Sequence, residues 1–146
     1  MDYLESFLIN YKLSKSNLPH EIPSFTEIYS PDRKLIASAS NAVESMLNAT
    51  LHSEVIAIER ALKSLNEKYL MGCLLITTLE PCLQCSGAIF RVKIPEVVYF
   101  LPAKNGEGIS SYSPESIYLL NHYPKLTYIK NSSILTDFKD FFKEKR

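Results

Sequence analysis

The chain has 146 residues, 46% hydrophobic and 22% charged, with 16 Lys+Arg against 16 Asp+Glu and a formal net charge of zero. That is the size and balance of one globular domain burying about two-thirds of its unfolded surface, and it excludes a disordered or collagen-like chain. Zero net charge excludes a global electrostatic grip on nucleic acid but leaves room for a local basic patch.

The three cysteines, Cys73, Cys82 and Cys85, are too few and odd in number for a disulfide framework. Reduced thiols fit a cytoplasmic compartment. No stretch approaches the roughly 18 apolar residues of a membrane span. Asp2 and Glu5 stand where a secretory leader would begin with positive charge. The expectation is one domain over residues 1–146, cytoplasmic and without a membrane segment.

Tyr3, Leu4, Phe7, Leu8 and Tyr11 recur at helical spacing, so the chain opens on a helix that ends before Asn17-Leu18-Pro19. Pro23 and Pro31 bracket a strand, Ser24–Tyr29, and Lys34–Ala39 returns as its hairpin partner. Asn41–Thr50 reads as loop. Leu51–Tyr69 carries the strongest helical pattern, with Val55, Ile58, Leu62 and Leu65 as its apolar stripe and Ala57 and Ala61 beside it. Gly72–Leu79 is a nearly continuous apolar strand of the kind buried on both faces. Cys82–Val92 is a helix, Glu96–Leu101 another buried strand, and Pro102–Ser113 a loop. Ser113-Pro114-Glu115 starts a short helix. Leu126–Lys130 is the last strand, and Ser133 or Thr136 caps a final helix with Phe138, Phe141 and Phe142. A hairpin followed by helix-linked strands predicts a three-layer α/β/α domain around a mixed five-stranded sheet.

Two segments carry chemistry: His52-Ser53-Glu54 and Pro81-Cys82-Leu83-Gln84-Cys85, each at a predicted helix start. Cys82 and Cys85 are three apart and lie on one helical face. The positive end of a helix favours their thiolates. With the imidazole of His52 they make a three-ligand zinc set with an open fourth position. Glu54, two residues past the histidine, points elsewhere and is free to carry protons. A CxxC pair alone is ambiguous, since redox and structural zinc sites share it. The redox reading is weakened by the Leu-Gln dipeptide and by a chain without Trp. A structural site needs a fourth ligand, and His20 and His122 lie in loops with no ligand spacing. Cys73 reads as a small buried hydrophobe. The combined H-x-E…P-C-x-x-C arrangement is the known signature of zinc nucleobase deaminases.

Leu51–Ile58 and Thr78-Leu79-Glu80-Pro81-Cys82-Leu83-Gln84-Cys85-Ser86-Gly87-Ala88-Ile89 resemble the cytidine deaminase-like superfamily, and within it the tRNA-specific adenosine deaminases. The resemblance runs from about Glu21 onward. It implies the cytidine deaminase-like fold, Zn2+ on His52, Cys82 and Cys85, and Glu54 as proton shuttle. It also implies a homodimer acting on the anticodon loop of tRNA, where the wobble adenosine becomes inosine. Asn41 falls where the family has an Asn that contacts the target base; as a residue it is otherwise an ordinary loop Asn. Asp140–Arg146 resembles the family's terminal helix, which assigns tRNA contacts to Phe141, Phe142 and Arg146. From Lys125 onward six basic residues (Lys125, Lys130, Lys139, Lys143, Lys145, Arg146) stand against three acids (Asp137, Asp140, Glu144). Basic charge beside aromatics suits a single-stranded loop, whereas a plain amphipathic helix would place the phenylalanines in the core.

Three departures from the family bear on substrate. A Pro-Val-Gly-Ala-like run is here Pro23-Ser24-Phe25-Thr26, so that Phe25 reshapes either the pocket or the strand packing. Ser53 replaces an Ala, and Pro102–Gly106 lacks the family's Asp. Deamination of a free guanine or cytosine base or nucleoside is therefore the alternative activity. A non-catalytic zinc subunit that binds RNA or a partner is a third reading, which the presence of Glu54 disfavours.

Overall fold

The computed structural model describes residues 3–113 and 122–144. The elements are α1 (Tyr3–Asn17), β1 (Phe25–Tyr29), β2 (Leu35–Ser40), α2 (Ser53–Leu65), β3 (Leu74–Leu79), α3 (Leu83–Arg91), β4 (Glu96–Leu101), β5 (Lys125–Tyr128) and α4 (Ser132–Glu144), with a 3-10 turn at Ile109–Ser111. The five strands lie in the order β2-β1-β3-β4-β5. β1 runs antiparallel to β2 and to β3, while β3, β4 and β5 are mutually parallel. The sheet is mixed, as predicted, and every strand falls within two residues of its predicted bounds.

Strand alternation sends side chains to two cores. Ile28, Leu75 and Val97 pack under α2 and α3 with Ala57, Ile58, Ala61, Ile89 and Phe90. Phe25, Leu74, Ile76, Val98 and Phe100 pack under α1 and α4 with Phe7, Tyr11, Ile134 and Phe138. Helix, sheet and helix make the three layers. Tyr11 Oη and Lys15 Nζ both reach Asp137, at 2.8 and 2.9 Å, and join α1 to α4. Among the described residues no helix is long and apolar enough to cross a membrane.

Phe7 is fully buried, with its ring 5.4 Å from those of both Phe25 and Phe100. Phe7→Ala is expected to cost about 3–5 kcal/mol of stability. Urea denaturation should show a lower midpoint, and an unchanged midpoint would mean that α1 contributes no core.

Four local expectations are corrected. α2 begins at Ser53 and stops at Leu65, not Tyr69. Asn66 adopts a left-handed conformation (φ 52°), and the N–H groups of Asn66 and Glu67 turn back to Lys63 O and Leu62 O. That is a Schellman ending supplied by Asn in place of the usual Gly. Val55 is only half-buried, because the helix faces the sheet through Ala57, Ile58 and Ala61. α4 is capped by Asn131, whose Oδ1 accepts the Ile134 N–H at 3.0 Å, and not by Ser133 or Thr136. The first helix runs through Asn17. The short helix predicted from Ser113-Pro114-Glu115 falls mainly outside the described residues.

Candidate active site

The carboxyl end of β3 leads directly into the site, where open α/β sheets place their ligands. His52 is the N-cap residue of α2 and Cys82 that of α3, both with extended backbone; Cys85 follows in the first turn of α3. Gln84 Nε2 donates to Thr50 O at 2.7 Å and staples the two helix starts together.

The ligand atoms of His52, Cys82 and Cys85 lie within 4.8 Å of one another. His52 Nδ1 is 3.4 Å from Cys82 Sγ and 3.5 Å from Cys85 Sγ. Ordinary Zn–S and Zn–N bonds at a tetrahedral angle separate sulfur from nitrogen by about 3.5 Å, so the three groups fit a zinc ion. Among the described residues no fourth His, Cys, Asp or Glu joins the set. His122 Nε2 lies 2.7 Å from Ile94 O, and His20 is exposed. Among the described residues the structural four-ligand reading therefore has no candidate for a fourth ligand.

Before metal binding the two thiols compete for a proton. Cys82 is lowered to about 5, chiefly by its hydrogen bond with Cys85 and against the effect of burial. Cys85 is pushed up by that same contact, by burial and by the Glu54 carboxylate. A cation at this point replaces the shared proton.

Glu54 is buried, 4% exposed. Its Oε1 accepts from Ser53 Oγ at 2.7 Å and is 3.3 Å from Ser24 Oγ, 3.4 Å from Thr26 Oγ1 and 3.3 Å from Thr77 Oγ1. Asn41 is also buried, and its Oδ1 accepts the Ser53 N–H at 2.9 Å. It thus caps α2 from outside the helix, a structural duty the sequence reading did not foresee.

Phe25 points into the α1/α4 core, so its effect is on strand packing and not on the pocket. Phe141 is half-buried and Phe142 is 45% exposed. Arg146 lies outside the described residues. Phe142 lines a groove of about 740 Å³ at the ends of β3 and β4, with Leu101, Phe138, Lys104, Lys139, Lys143 and Glu107 among its walls. Glu80 was not singled out beforehand. Its carboxylate accepts from Ala103 N (3.1 Å), Ser110 N (2.8 Å) and Ser110 Oγ (2.6 Å), and Ile109 N donates to Pro81 O at 3.0 Å. The loop after β4 is thereby tied to the Pro-Cys corner. A Cβ on Gly108 would come within 2.2 Å of this carboxylate, which explains the glycine.

Comparison with known proteins agrees with this geometry. The family described as the cytidine and deoxycytidylate deaminase zinc-binding region matches residues 15–101. A tRNA-specific adenosine deaminase of Aquifex aeolicus is 37% identical over 114 residues, 77% of this chain and 76% of that protein. A guanine deaminase of Bacillus subtilis is 32% identical over 94 residues, 64% of this chain and 60% of that protein. A structure from a study of A-to-I editing by tRNA:A34 deaminases superposes with a TM-score of 0.72 at 24% identity, covering 86% of this chain and 95% of the other, a likeness of fold. With its family match, its ligand set and its fold in agreement, the chain belongs to the cytidine and deoxycytidylate deaminase family and is a zinc-dependent hydrolytic deaminase.

Proposed function

We propose that the protein deaminates the wobble adenosine of tRNA to inosine. The observation that carries this reading is the 37% identity with a tRNA-specific adenosine deaminase over 77% of the chain. His52, Cys82 and Cys85 would hold the zinc, which would supply a water activated at neutral pH. Glu54 takes a proton from the attacking water as C6 of the purine becomes tetrahedral, and passes it to ring N1. A second transfer through Glu54 carries the proton of the new C6 hydroxyl to the exocyclic amine; the C6–N bond breaks, the C6 carbonyl forms and ammonia leaves. Adenosine and water thus give inosine and ammonia. Asn41, its Oδ1 held by Ser53, offers Nδ2 to the base.

The groove beside α4 supports the RNA side of this reading. Exposed Phe142 offers a stacking face, and Lys104, Lys139 and Lys143 offer phosphate partners. In the sequence, Lys145 and Arg146 add two further basic residues after α4. Removing residues 142–146 takes away Phe142, three basic residues (Lys143, Lys145 and Arg146) and one acid, Glu144. The truncation is expected to weaken binding of an anticodon stem-loop and to reduce the slope of log K against log salt by about 2. Fluorescence anisotropy at several salt concentrations measures both. An unchanged slope would mean that the tail is structural only.

The homodimer belongs to the same proposal. Met46, Leu47 and Leu83 are 66%, 91% and 71% exposed on the two segments that carry His52 and Cys82, an apolar contact for a second copy. Sedimentation velocity tests it. The reading also places the protein in the cytoplasm, with its substrate. The guanine deaminase likeness keeps a free purine as the second reading, and comparing turnover of the stem-loop with that of free guanine separates the two.

A further inference from the structure

We propose that Ser24, Thr26, Ser53 and Thr77 are positioning residues that grip one oxygen of Glu54 and leave the other to work; the inference rests on the reading of Glu54 as the proton carrier. Ser24 and Thr26 stand in the run, and Ser53 at the position, where the sequence departs from the resembled family. These departures are distant in the chain, yet they converge on one carboxylate. Thr77 closes the cluster, because the β1–β3 register sets it directly opposite Thr26.

Hydrogen-bond accounting favours a directed grip. Each hydroxyl has one proton to give. Ser24 Oγ is 2.7 Å from Ser53 Oγ, and Ser53 donates to Glu54 Oε1 at 2.7 Å. Thr26 donates to Thr77 at 2.9 Å, and Thr77 donates to the same Oε1 at 3.3 Å. In this arrangement two donor chains end on Oε1 and all four protons are used, and the 2.8 Å contact between Thr26 Oγ1 and Ser53 Oγ links the two chains into one network. Each chain polarises its last bond. The hydrogen bonds from these hydroxyls to Glu54 all go to Oε1 and none to Oε2.

Thr26, Ser53 and Thr77 have no exposed surface, Ser24 has 6% and Glu54 4%. Among the described residues no cation forms an ion pair with Glu54. A buried carboxylate without a cation requires hydrogen bonds, and the hydroxyls supply them. Were packing their only role, Val and Ala would fill the same space with nothing to satisfy. Their geometry instead restricts the rotation of Glu54, and a proton carrier misplaced by about 1 Å costs up to roughly 100-fold in rate.

The test removes each chain with its shape nearly kept: Thr26→Val with Thr77→Val, and Ser24→Ala with Ser53→Ala. In the zinc-loaded enzyme each pair is expected to lower kcat on the stem-loop by about 10- to 100-fold. KM and bound zinc should stay unchanged, and Thr26→Ser should retain parental kcat. A second readout needs no turnover. Each pair is introduced into the zinc-loaded parent and into Glu54→Gln, and unfolding is followed in urea. The hydroxyl deletions should change the unfolding constant at least about 3-fold more in the parent than beside Gln, the signature of direct coupling. Equal factors in both backgrounds would overturn the proposal, as would unchanged kcat or loss of zinc in the paired variants. If the parent does not turn over the stem-loop, the failure lies with the substrate reading, and the coupling alone decides the grip.

Discussion

Glu54→Gln is expected to keep its full zinc content and to lose about 10²- to 10⁴-fold in kcat. The side chain keeps its size and one carbonyl oxygen for the surrounding hydroxyls, so the fold should survive. What it loses is the basic oxygen that, in the proposed mechanism, accepts and returns a proton. Glu54 is outside the metal-ligand set, which is why zinc should remain. Metal analysis beside steady-state kinetics separates the two effects. Parental turnover in the variant would remove Glu54 from the mechanism. Loss of zinc with turnover would make it a ligand or a prop for the ligands.

Cys82→Ala is expected to do the reverse: zinc falls from about one per chain to near zero, and activity falls with it. His52 and Cys85 alone leave a two-ligand site. The vacated corner also joins the starts of α2 and α3, so the melting temperature should fall as well. Zinc binds the folded state, and its loss removes that stabilisation by mass action. Treating the parent with a chelator should reproduce the shift in melting temperature without any substitution. A Cys82→Ala protein with stoichiometric zinc would overturn the assignment of this ligand.

The strands were legible because most are apolar runs punctuated by proline, and such runs are buried in the middle of a sheet. β4, Glu96–Leu101, matches its predicted bounds at both ends. The metal ligands were legible because each motif is local: a helix start, a CxxC step, a histidine two residues before a glutamate. Helix ends were less so. Asn66 takes a left-handed turn that the apolar pattern of the surrounding segment conceals, and Asn131 caps α4 although Ser133 and Thr136 stand nearby. The surroundings of Glu54 were not legible, because they depend on pairing between strands far apart in sequence. Ser24, Phe25 and Thr26 looked like one departure near the substrate. The pleat divides them: Phe25 enters the α1/α4 core, while Ser24 and Thr26 meet Glu54 on the other face. Glu80 was hidden for a related reason, since its partners, Ala103 and Ser110, lie more than twenty residues away.

The central claim is that this zinc site deaminates a wobble adenosine. Its most direct test is nucleoside mass spectrometry of a synthetic anticodon stem-loop carrying adenosine at that position, after incubation with the zinc-loaded protein. The account predicts inosine there, with a mass gain of about one unit, and none with Glu54→Gln. Unaltered adenosine from protein of confirmed zinc content, with free guanine converted under the same conditions, would contradict it.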